Sequence, residues 1–259
     1  MDDRAFDALV ADLRGAQAPR VWSLLVTIFG DLAQDGSMIG AAVLGRIAAA
    51  IGIRPEAMRV ALHRLRKDGW IESKRIGRSS VYGLSRKGRA ESVAASPRIY
   101  DTHPPCGAVW LILRDPAGPP DPSECAGVRI TPHMLLSARL ADDPDVFATR
   151  IEADRALPVW ISDKVCDPET CDLSMNLAAR LDRLCHALAP EVRLDPLQET
   201  VLRVLIVHEW RRIVLKVPRL PDHVFPEGWR GPDCRSRVEV LLARLPRRRP
   251  DDVDCGGSA

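Results

Sequence analysis

The sequence predicts an α+β fold, because helical and strand-like patterns occupy separate stretches of the chain. Apolar residues recur at helical spacing over residues 21–68 and again over residues 173–245. Residues 70–84 and 109–140 instead carry short β-branched and apolar runs, interrupted by glycine and proline. We therefore expect an N-terminal domain of helices and a β-hairpin, a small central α/β domain and a C-terminal helical domain.

Three helical segments follow one another near the N-terminus. Residues 21–30 are apolar on nearly every side, which is typical of a helix at the centre of a small domain. The next segment places its apolar residues on one helical face: Leu44, Ile47, Ala48 and Ile51. Gly52 then suits a helix C-terminus, and Pro55 suits the first turn of a third helix over residues 55–68. Two helices joined by a short glycine turn indicate a helix-turn-helix.

The third helix separates its inner and outer residues. The predicted inner face is apolar: Met58, Ala61, Leu62 and Leu65. The outer face is mainly basic: Glu56, Arg59, Val60, His63, Arg64 and Lys67. A solvated helix ordinarily mixes both signs on its outer face. The excess of one sign therefore indicates an anionic partner.

A β-hairpin is predicted directly after this helix. Residues 70–76 form its first strand, Gly77, Arg78 and Ser79 its turn, and residues 80–84 its second strand. A hairpin in this position is the wing of a winged helix-turn-helix. Its tip is also basic.

Charge is distributed unevenly. Residues 54–89 contain eleven Lys or Arg and three acidic residues, a net charge of +8, so the remainder carries −6 against a total of +2. This asymmetry predicts a nucleic-acid-binding domain. We expect Arg59 and His63 to discriminate bases in the major groove. The predicted DNA-binding residues are Arg54, Arg59, His63, Arg64, Lys67, Lys74, Arg75, Arg78, Ser79 and Ser80. The alternative is a basic solvated face on a winged helix that contacts proteins.

Several stretches together resemble the PaaX family of transcriptional repressors. The N-terminal ones are residues 23–31 (SLLVTIFGD), 59–70 (RVALHRLRKDGW) and 77–82 (GRSSVY). The C-terminal ones are residues 207–212 (VHEWRR), 218–221 (PRLP) and 225–231 (FPEGWRG). They cover both ends of the chain, and together they are more specific than a generic winged-helix pattern.

The resemblance implies a homodimeric repressor that binds double-stranded promoter DNA. It would leave its operator when an aryl-acetyl-CoA thioester such as phenylacetyl-CoA, or a related acyl-CoA, binds. It also implies a central domain resembling the ferredoxin-like Cas2 fold. The control of phenylacetate catabolism is the role known for the family.

Two departures from the family pattern concern the central and C-terminal regions. Family members usually carry a substantial helix between the first two strands of the central domain, but residues 115–122 hold four prolines and cannot be helix interior. This predicts a shortened central domain. Lys216, Val217 and Pro218 stand where the family tends to have Arg-Asp-Pro.

We predict four contiguous regions. They are a winged-helix domain at residues 1–98, a ferredoxin-like domain at 99–170, a helical domain at 171–247 and a disordered tail at 248–259. A short helix at residues 85–95 precedes a linker at 96–105. In the central domain we expect strands at residues 109–114, 127–131, 135–140 and 159–162, and a helix at 145–155. Farther on we expect helices from residue 173 and at residues 201–217, an extended loop at 218–232 and a last amphipathic helix around residues 238–245.

His208, Arg211 and Arg212 are the candidates for effector binding. His208 and Glu209 begin an H-E-x-x-H zinc motif, but Arg212 replaces its second histidine. An arginine cluster suits CoA phosphates. The alternative is a salt network within the helix.

Other features argue against catalysis, metals and membranes. The chain shows no G-x-S-x-G, P-loop or dinucleotide motif, so no catalytic residue and no cofactor are expected. Seven cysteines show no C-x-x-C spacing, which predicts scattered reduced thiols and no metal site. An acidic N-terminus and the lack of a long apolar run predict a cytoplasmic protein.

Two alternatives to a repressor stay open. One is a CoA-ester-binding metabolic protein that uses its winged helix for protein contacts. The other is a nuclease with a Cas2-like central domain, whose candidate acids are Asp115, Asp121, Asp142, Asp143, Asp145, Asp154 and Asp163.

Overall fold

The protein is described from a computed structural model and forms two compact units. The first comprises residues 1–100, 179–211 and 237–259, and the second comprises residues 101–178 and 212–236. The predicted contiguous domains stay a prediction. The structure describes residues 1–15, 20–101, 103, 106–118, 127–140 and 143–254.

Helices and antiparallel sheets alternate along the chain, which confirms the α+β class. The elements of residues 1–100 are α1 (Asp3–Arg14), α2 (Val21–Leu32), β1 (Ile39–Gly40), α3 (Ala41–Ala50), α4 (Pro55–Lys67), β2 (Ile71–Ile76), β3 (Ser79–Leu84) and α5 (Arg86–Tyr100). Then come β4 (Val109–Arg114), β5 (Gly127–Thr131), β6 (Met134–Ser137), β7 (Val146–Ile151), α6 (Val159–Val165), α7 (Pro168–Ala187), α8 (Pro196–Val214), a 3-10 turn (Asp222–Val224), α9 (Gly231–Arg244) and α10 (Pro250–Asp254).

In the first unit, α2 and α8 supply much of the buried core. Leu24, Ile28 and Phe29 of α2 are fully buried, and so are Leu202 and Leu205 of α8. This burial is what the mainly apolar residues of 21–30 and 201–207 predict. The predicted helices at the two ends of the chain are confirmed at their centres.

Helix α1 was not predicted, although its pattern is amphipathic. Phe6, Val10 and Leu13 are buried. Asp2 caps the helix by accepting a bond from the Ala5 amide at 2.8 Å. The carboxylate of Asp12 receives bonds from the Arg183 guanidinium at 2.7 and 3.1 Å, so tertiary contacts hold the helix in place.

The second unit contains an antiparallel sheet with strand order β5-β6-β4-β7. Strand β4 is central, pairing Trp110 with Ser137 on one side and with Arg150 on the other. The strands predicted at residues 109–114 and 127–131 are confirmed.

Other predictions for this region were wrong. Residues 145–155, predicted as a helix, contain strand β7, because its β-branched and aromatic residues pair with β4 along its whole length. Residues 159–162, predicted as a strand, begin helix α6, in which Ile161 and Val165 bury one face at i, i+4 spacing. Strand β6 occupies residues 134–137 instead of 135–140.

The predicted linker at residues 96–105 is also wrong in its first part, because α5 continues to Tyr100. Pro97 inside the helix removes one backbone donor. Tertiary bonds hold the helix end nevertheless. The Trp210 Nε1 donates to the Ile99 carbonyl at 3.0 Å, and the Tyr100 hydroxyl donates to Asp31 at 2.8 Å. Residues 102, 104 and 105 lie outside the described residues.

The arginine run overlaps the start of the predicted tail of residues 248–259, which the structure describes as far as residue 254. Arg248 forms an ion pair of 2.6 Å with Glu199, and α10 follows with Val253 buried. Arg247 lies 3.6 Å from the buried Asp31 carboxylate, so both arginines have acidic partners far away in the sequence. Residues 255–259 of the predicted tail lie outside the described residues.

The predicted loop at residues 218–232 is partly structured. It contains the 3-10 turn, and α9 begins at Gly231. Phe225 and Trp229 stack with ring centroids 4.8 Å apart. No helix in the described part of the chain has the length and apolarity needed to span a membrane.

Candidate nucleic-acid interface

Gly52 and Pro55 determine the turn between α3 and α4 through their backbone conformations. Gly52 adopts a φ of 81°, and the Ile53 amide donates back to the Ala48 carbonyl at 2.8 Å, which closes the end of α3. Pro55 occupies the first turn of α4. Two helices joined by a short glycine turn are therefore present at the predicted place.

Helix α4 has the two faces that its sequence predicts. Its inner residues are at most 9% exposed: Met58, Ala61, Leu62 and Leu65. Every outer residue is exposed. Packing of the inner face against α2 therefore presents the basic residues to solvent.

Strands β2 and β3 form the predicted hairpin. Its register pairs Ile71 with Leu84 and Ile76 with Ser79, so Ser79 lies in the strand and not in the turn. Gly77 has a φ of 59°, which a tight hairpin turn requires. Strand β1, which the sequence pattern did not reveal, adds a third strand beside β3.

The base of the hairpin is fixed to α5 by close backbone packing. A Cβ on Gly88 would lie 2.1 Å from the Trp70 carbonyl oxygen, so only glycine fits there. The Ser85 hydroxyl donates to the Gly69 carbonyl at 2.6 Å. These contacts set the position of the hairpin relative to α4.

All predicted DNA-binding residues are exposed in the structure. We call this set the basic ridge: Arg54, Arg59, His63, Arg64, Lys67, Lys74, Arg75, Arg78, Ser79 and Ser80. It spans α4 and the hairpin, both within the first unit.

The acids near the ridge do not bury its charges. The ion pairs are Glu56–Arg59 at 2.9 Å, Asp68–Arg64 at 3.7 Å and Glu72–Lys74 at 3.8 Å. Each partner's side chain is at least half exposed. Pairs of this kind contribute at most about 1 kcal/mol. Phosphate oxygens can therefore compete for these cations.

The three candidates for effector binding lie on α8, and two of them bond to α2. His208 is buried, with its Nδ1 2.9 Å from the Thr27 hydroxyl. Arg211 donates to the Ser23 carbonyl at 3.2 Å and to the same hydroxyl at 3.0 Å. Burial lowers the pKa of the Arg211 guanidinium. Arg212 is half-buried. Their role toward an effector stays a prediction.

A second set of bonds between α2 and α8 was missed. The Arg203 guanidinium donates to both carboxylate oxygens of Asp31, at 2.8 and 2.9 Å, and to the Leu245 carbonyl at 2.8 Å. The side chain of Asp31 is fully buried. A single acid in the apolar segment of residues 23–31 and a single arginine in residues 201–207 were the available signals.

Potential metal ligands are scattered in the part of the chain that the structure describes. Within them, no three His, Cys, Asp or Glu side chains lie close enough together to hold a metal ion. Of the acids proposed for a nuclease, Asp143 instead pairs with Arg114 at 2.9 Å. Asp121 and Asp142 lie outside the described residues, as do Cys125 and Cys255.

Comparison with known families matches both ends of the chain. Residues 20–88 match the model described as PaaX-like protein, and residues 173–248 match the PaaX-like protein C-terminal domain. The two matches together cover more than half of the chain. The chain belongs to the PaaX family. It is also 28% identical to the transcriptional repressor PaaX of Escherichia coli (strain K12), over 86% of this chain and 79% of that protein.

The residues of the candidate site lie within the two PaaX matches. The whole basic ridge lies in the first. Asp31 lies in the first match and Arg203 in the second, so their bonds join the two family segments of this PaaX-family chain. The β4–β7 sheet lies outside both matched ranges.

Proposed function

We propose that this protein is a DNA-binding transcriptional repressor whose helix-turn-helix and hairpin form a winged-helix domain. The exposed basic ridge carries the proposal. Its cations lie on the exposed face of α4 and on the hairpin, and a helix fits the major groove of DNA. The acidic partners of these cations are exposed and form only weak ion pairs. Membership of the PaaX family and similarity to a protein named a transcriptional repressor support the regulatory role.

Binding would place α4 in the major groove. Residues near the start of a recognition helix contact base edges, while the cations of the hairpin contact phosphates. Each phosphate neutralised releases counterions, so affinity falls with the logarithm of the salt concentration. As a homodimer, the protein would contact two half-sites of a palindromic promoter sequence.

The second unit is proposed to contain a reduced ferredoxin-like domain. Its sheet order, numbering β4 to β7 as strands 1 to 4, is 2-3-1-4 with antiparallel neighbours throughout. This is the strand order of the β-α-β-β-α-β fold. Only residues 138–145 connect β6 to β7, and the described ones form no helix.

The proposed effector is an aryl-acetyl-CoA or related acyl-CoA, the class that the family resemblance implies. Binding would lower the affinity for operator DNA and so relieve repression. His208, Arg211 and Arg212 are the proposed contacts, supported by the affinity of arginines for phosphates.

Fluorescence anisotropy with labelled promoter duplexes tests the proposal. The duplexes come from the region upstream of the protein's own gene, with a scrambled duplex of equal length as control. We expect promoter binding to be tighter than scrambled binding and to weaken steeply with salt. Replacing Lys74 and Arg78 with alanine should weaken it, whereas the matched change at exposed Arg4 and Lys164, outside the ridge, should not.

Two results would count against the proposal. Retention of neither duplex at moderate salt would favour the alternative of a CoA-ester-binding protein that uses its winged helix for protein contacts. Promoter binding that phenylacetyl-CoA and other acyl-CoA thioesters leave unchanged would remove the effector part alone.

A further inference from the structure

Val60 is an exposed valine on the same face of α4 as the basic-ridge residues Arg59, His63 and Arg64. The Val60 side chain is 70% exposed, while its neighbours Ala61 and Leu62 are buried. A branched apolar side chain on a solvated helix face loses rotamer freedom and gains no packing. The folding of α4 therefore does not require a valine at position 60.

The helical positions of the ridge residues put Val60 close to the pole of the exposed face. At about 100° per residue, the buried residues of α4 centre on one direction, and Val60 lies about 30° from the opposite direction. His63 lies about 30° away on the other side. Arg59 and Arg64 lie about 70° from the pole, one on each flank.

Both flanking arginines have partners within the first unit. Arg59 bonds to the Glu56 carboxylate at 2.9 Å and to the Pro55 carbonyl at 3.4 Å. The Arg64 guanidinium lies 6.0 Å from the centroid of the Trp22 ring. Two cationic sides thus enclose a strip in which Val60 is the apolar member.

We propose that Val60 contacts the 5-methyl group of a thymine in the major groove and so makes that position of the operator specific for thymine. This inference rests on the proposed function. Thymine alone among the four bases presents a methyl group in the major groove, and apolar side chains are its usual contacts. Burial of one methyl group corresponds to about a fourfold gain in affinity.

Uracil substitution in the DNA tests the contact, because it removes the methyl group and leaves base pairing unchanged. The full chain first selects its tightest duplex from a randomised library. Each thymine of that duplex is then replaced singly by deoxyuridine, and affinities are measured for the wild type, Val60→Ala and Val60→Thr. Val240→Ala is the matched control, since Val240 is 60% exposed on α9.

We expect one thymine per half-site at which uracil weakens wild-type binding about fourfold. At that position Val60→Ala, which lacks both γ-methyl groups, should bind thymine and uracil duplexes equally, whereas Val60→Thr, which keeps one γ-methyl group, and Val240→Ala should retain the difference. Equal sensitivity of Val60→Ala and the wild type would overturn the assignment, as would a wild type insensitive to uracil everywhere. A protein that selects no sequence would instead overturn the proposed function, and this inference with it.

Discussion

The guanidinium of Arg203 and the carboxylate of Asp31 form two hydrogen bonds of 2.8 and 2.9 Å in the interior of the first unit. Residues 172 positions apart in the sequence thereby join helix α2 to helix α8. The Tyr100 hydroxyl donates to the same carboxylate, and Arg247 lies 3.6 Å from it. The buried Asp31 carboxylate thus contacts three side chains from separate segments of the chain: Arg203, Tyr100 and Arg247.

Removing Arg203 should destabilise the protein strongly. Arg203→Ala leaves the buried Asp31 carboxylate without its main partner, which costs about 3–5 kcal/mol of unfolding free energy. Urea denaturation followed by circular dichroism measures the change. The double variant Asp31→Leu/Arg203→Met removes both charges and should recover much of the loss. A double variant no more stable than Arg203→Ala would contradict this account.

Tyr100 should make stability depend on alkaline pH. Burial, together with the nearby Asp31 charge, raises the pKa of the Tyr100 phenol well above its ordinary value near 10. The folded state therefore favours the neutral phenol, and its stabilisation is complete below about pH 10 and is lost as the pH rises above that value.

Comparison with Tyr100→Phe isolates this group from other residues that titrate in the same range. Unfolding free energies are measured for both proteins between pH 7 and pH 11. We expect the variant to be less stable at neutral pH by about 1.5–3 kcal/mol, the strength of a hydrogen bond to a charged group, and the difference to shrink above about pH 10. A constant difference across the range would argue against the shifted pKa.

Two glycine-to-alanine changes in helices should have opposite signs. Gly88→Ala places a Cβ against the Trp70 carbonyl oxygen and should cost about 1–3 kcal/mol. Gly45→Ala, in α3, adds a Cβ with no atom of the described residues within 4 Å, and should stabilise by about 0.5–1 kcal/mol. Thermal unfolding of both variants provides the measurement. Tolerance of alanine at Gly88 would show that the hairpin is not fixed to α5 as described.

The wing should contribute to affinity through phosphates and not through sequence. Lys74→Ala and Arg78→Ala are each expected to reduce the salt slope of log K by about 1 and to weaken specific and random duplexes equally. Anisotropy titrations over a range of salt concentrations give the slope. A loss confined to the specific duplex would place these residues on bases instead.

Replacing Arg59 and His63 together should affect discrimination. The double alanine variant is expected to lose at least about fivefold in the ratio of specific to random binding, because base contacts carry that ratio. The same titrations give both affinities, and the matched double change at Arg4 and Lys164 controls for charge. An unchanged ratio would remove both residues from base recognition.

The sequence by itself determined the helix-turn-helix, the two faces of α4 and the hairpin after it. Each depends on interactions within a few residues: Gly52 ends one helix, Pro55 begins the next, and Gly77 allows a tight turn. Apolar spacing shows which side of α4 is buried, and therefore also which side is basic and exposed. The candidate interface was predictable because it is local.

Tertiary structure decided whatever depends on a distant partner. Strand β7 is a strand because β4 pairs with it, and α5 passes through Pro97 because Trp210 and Asp31 bond its last residues. Arg247 and Arg248, which precede α10, pair with Asp31 and Glu199, two acids far away in the sequence. No local pattern encodes such partners, since the free energy of these bonds exists only after the chain has brought both groups together.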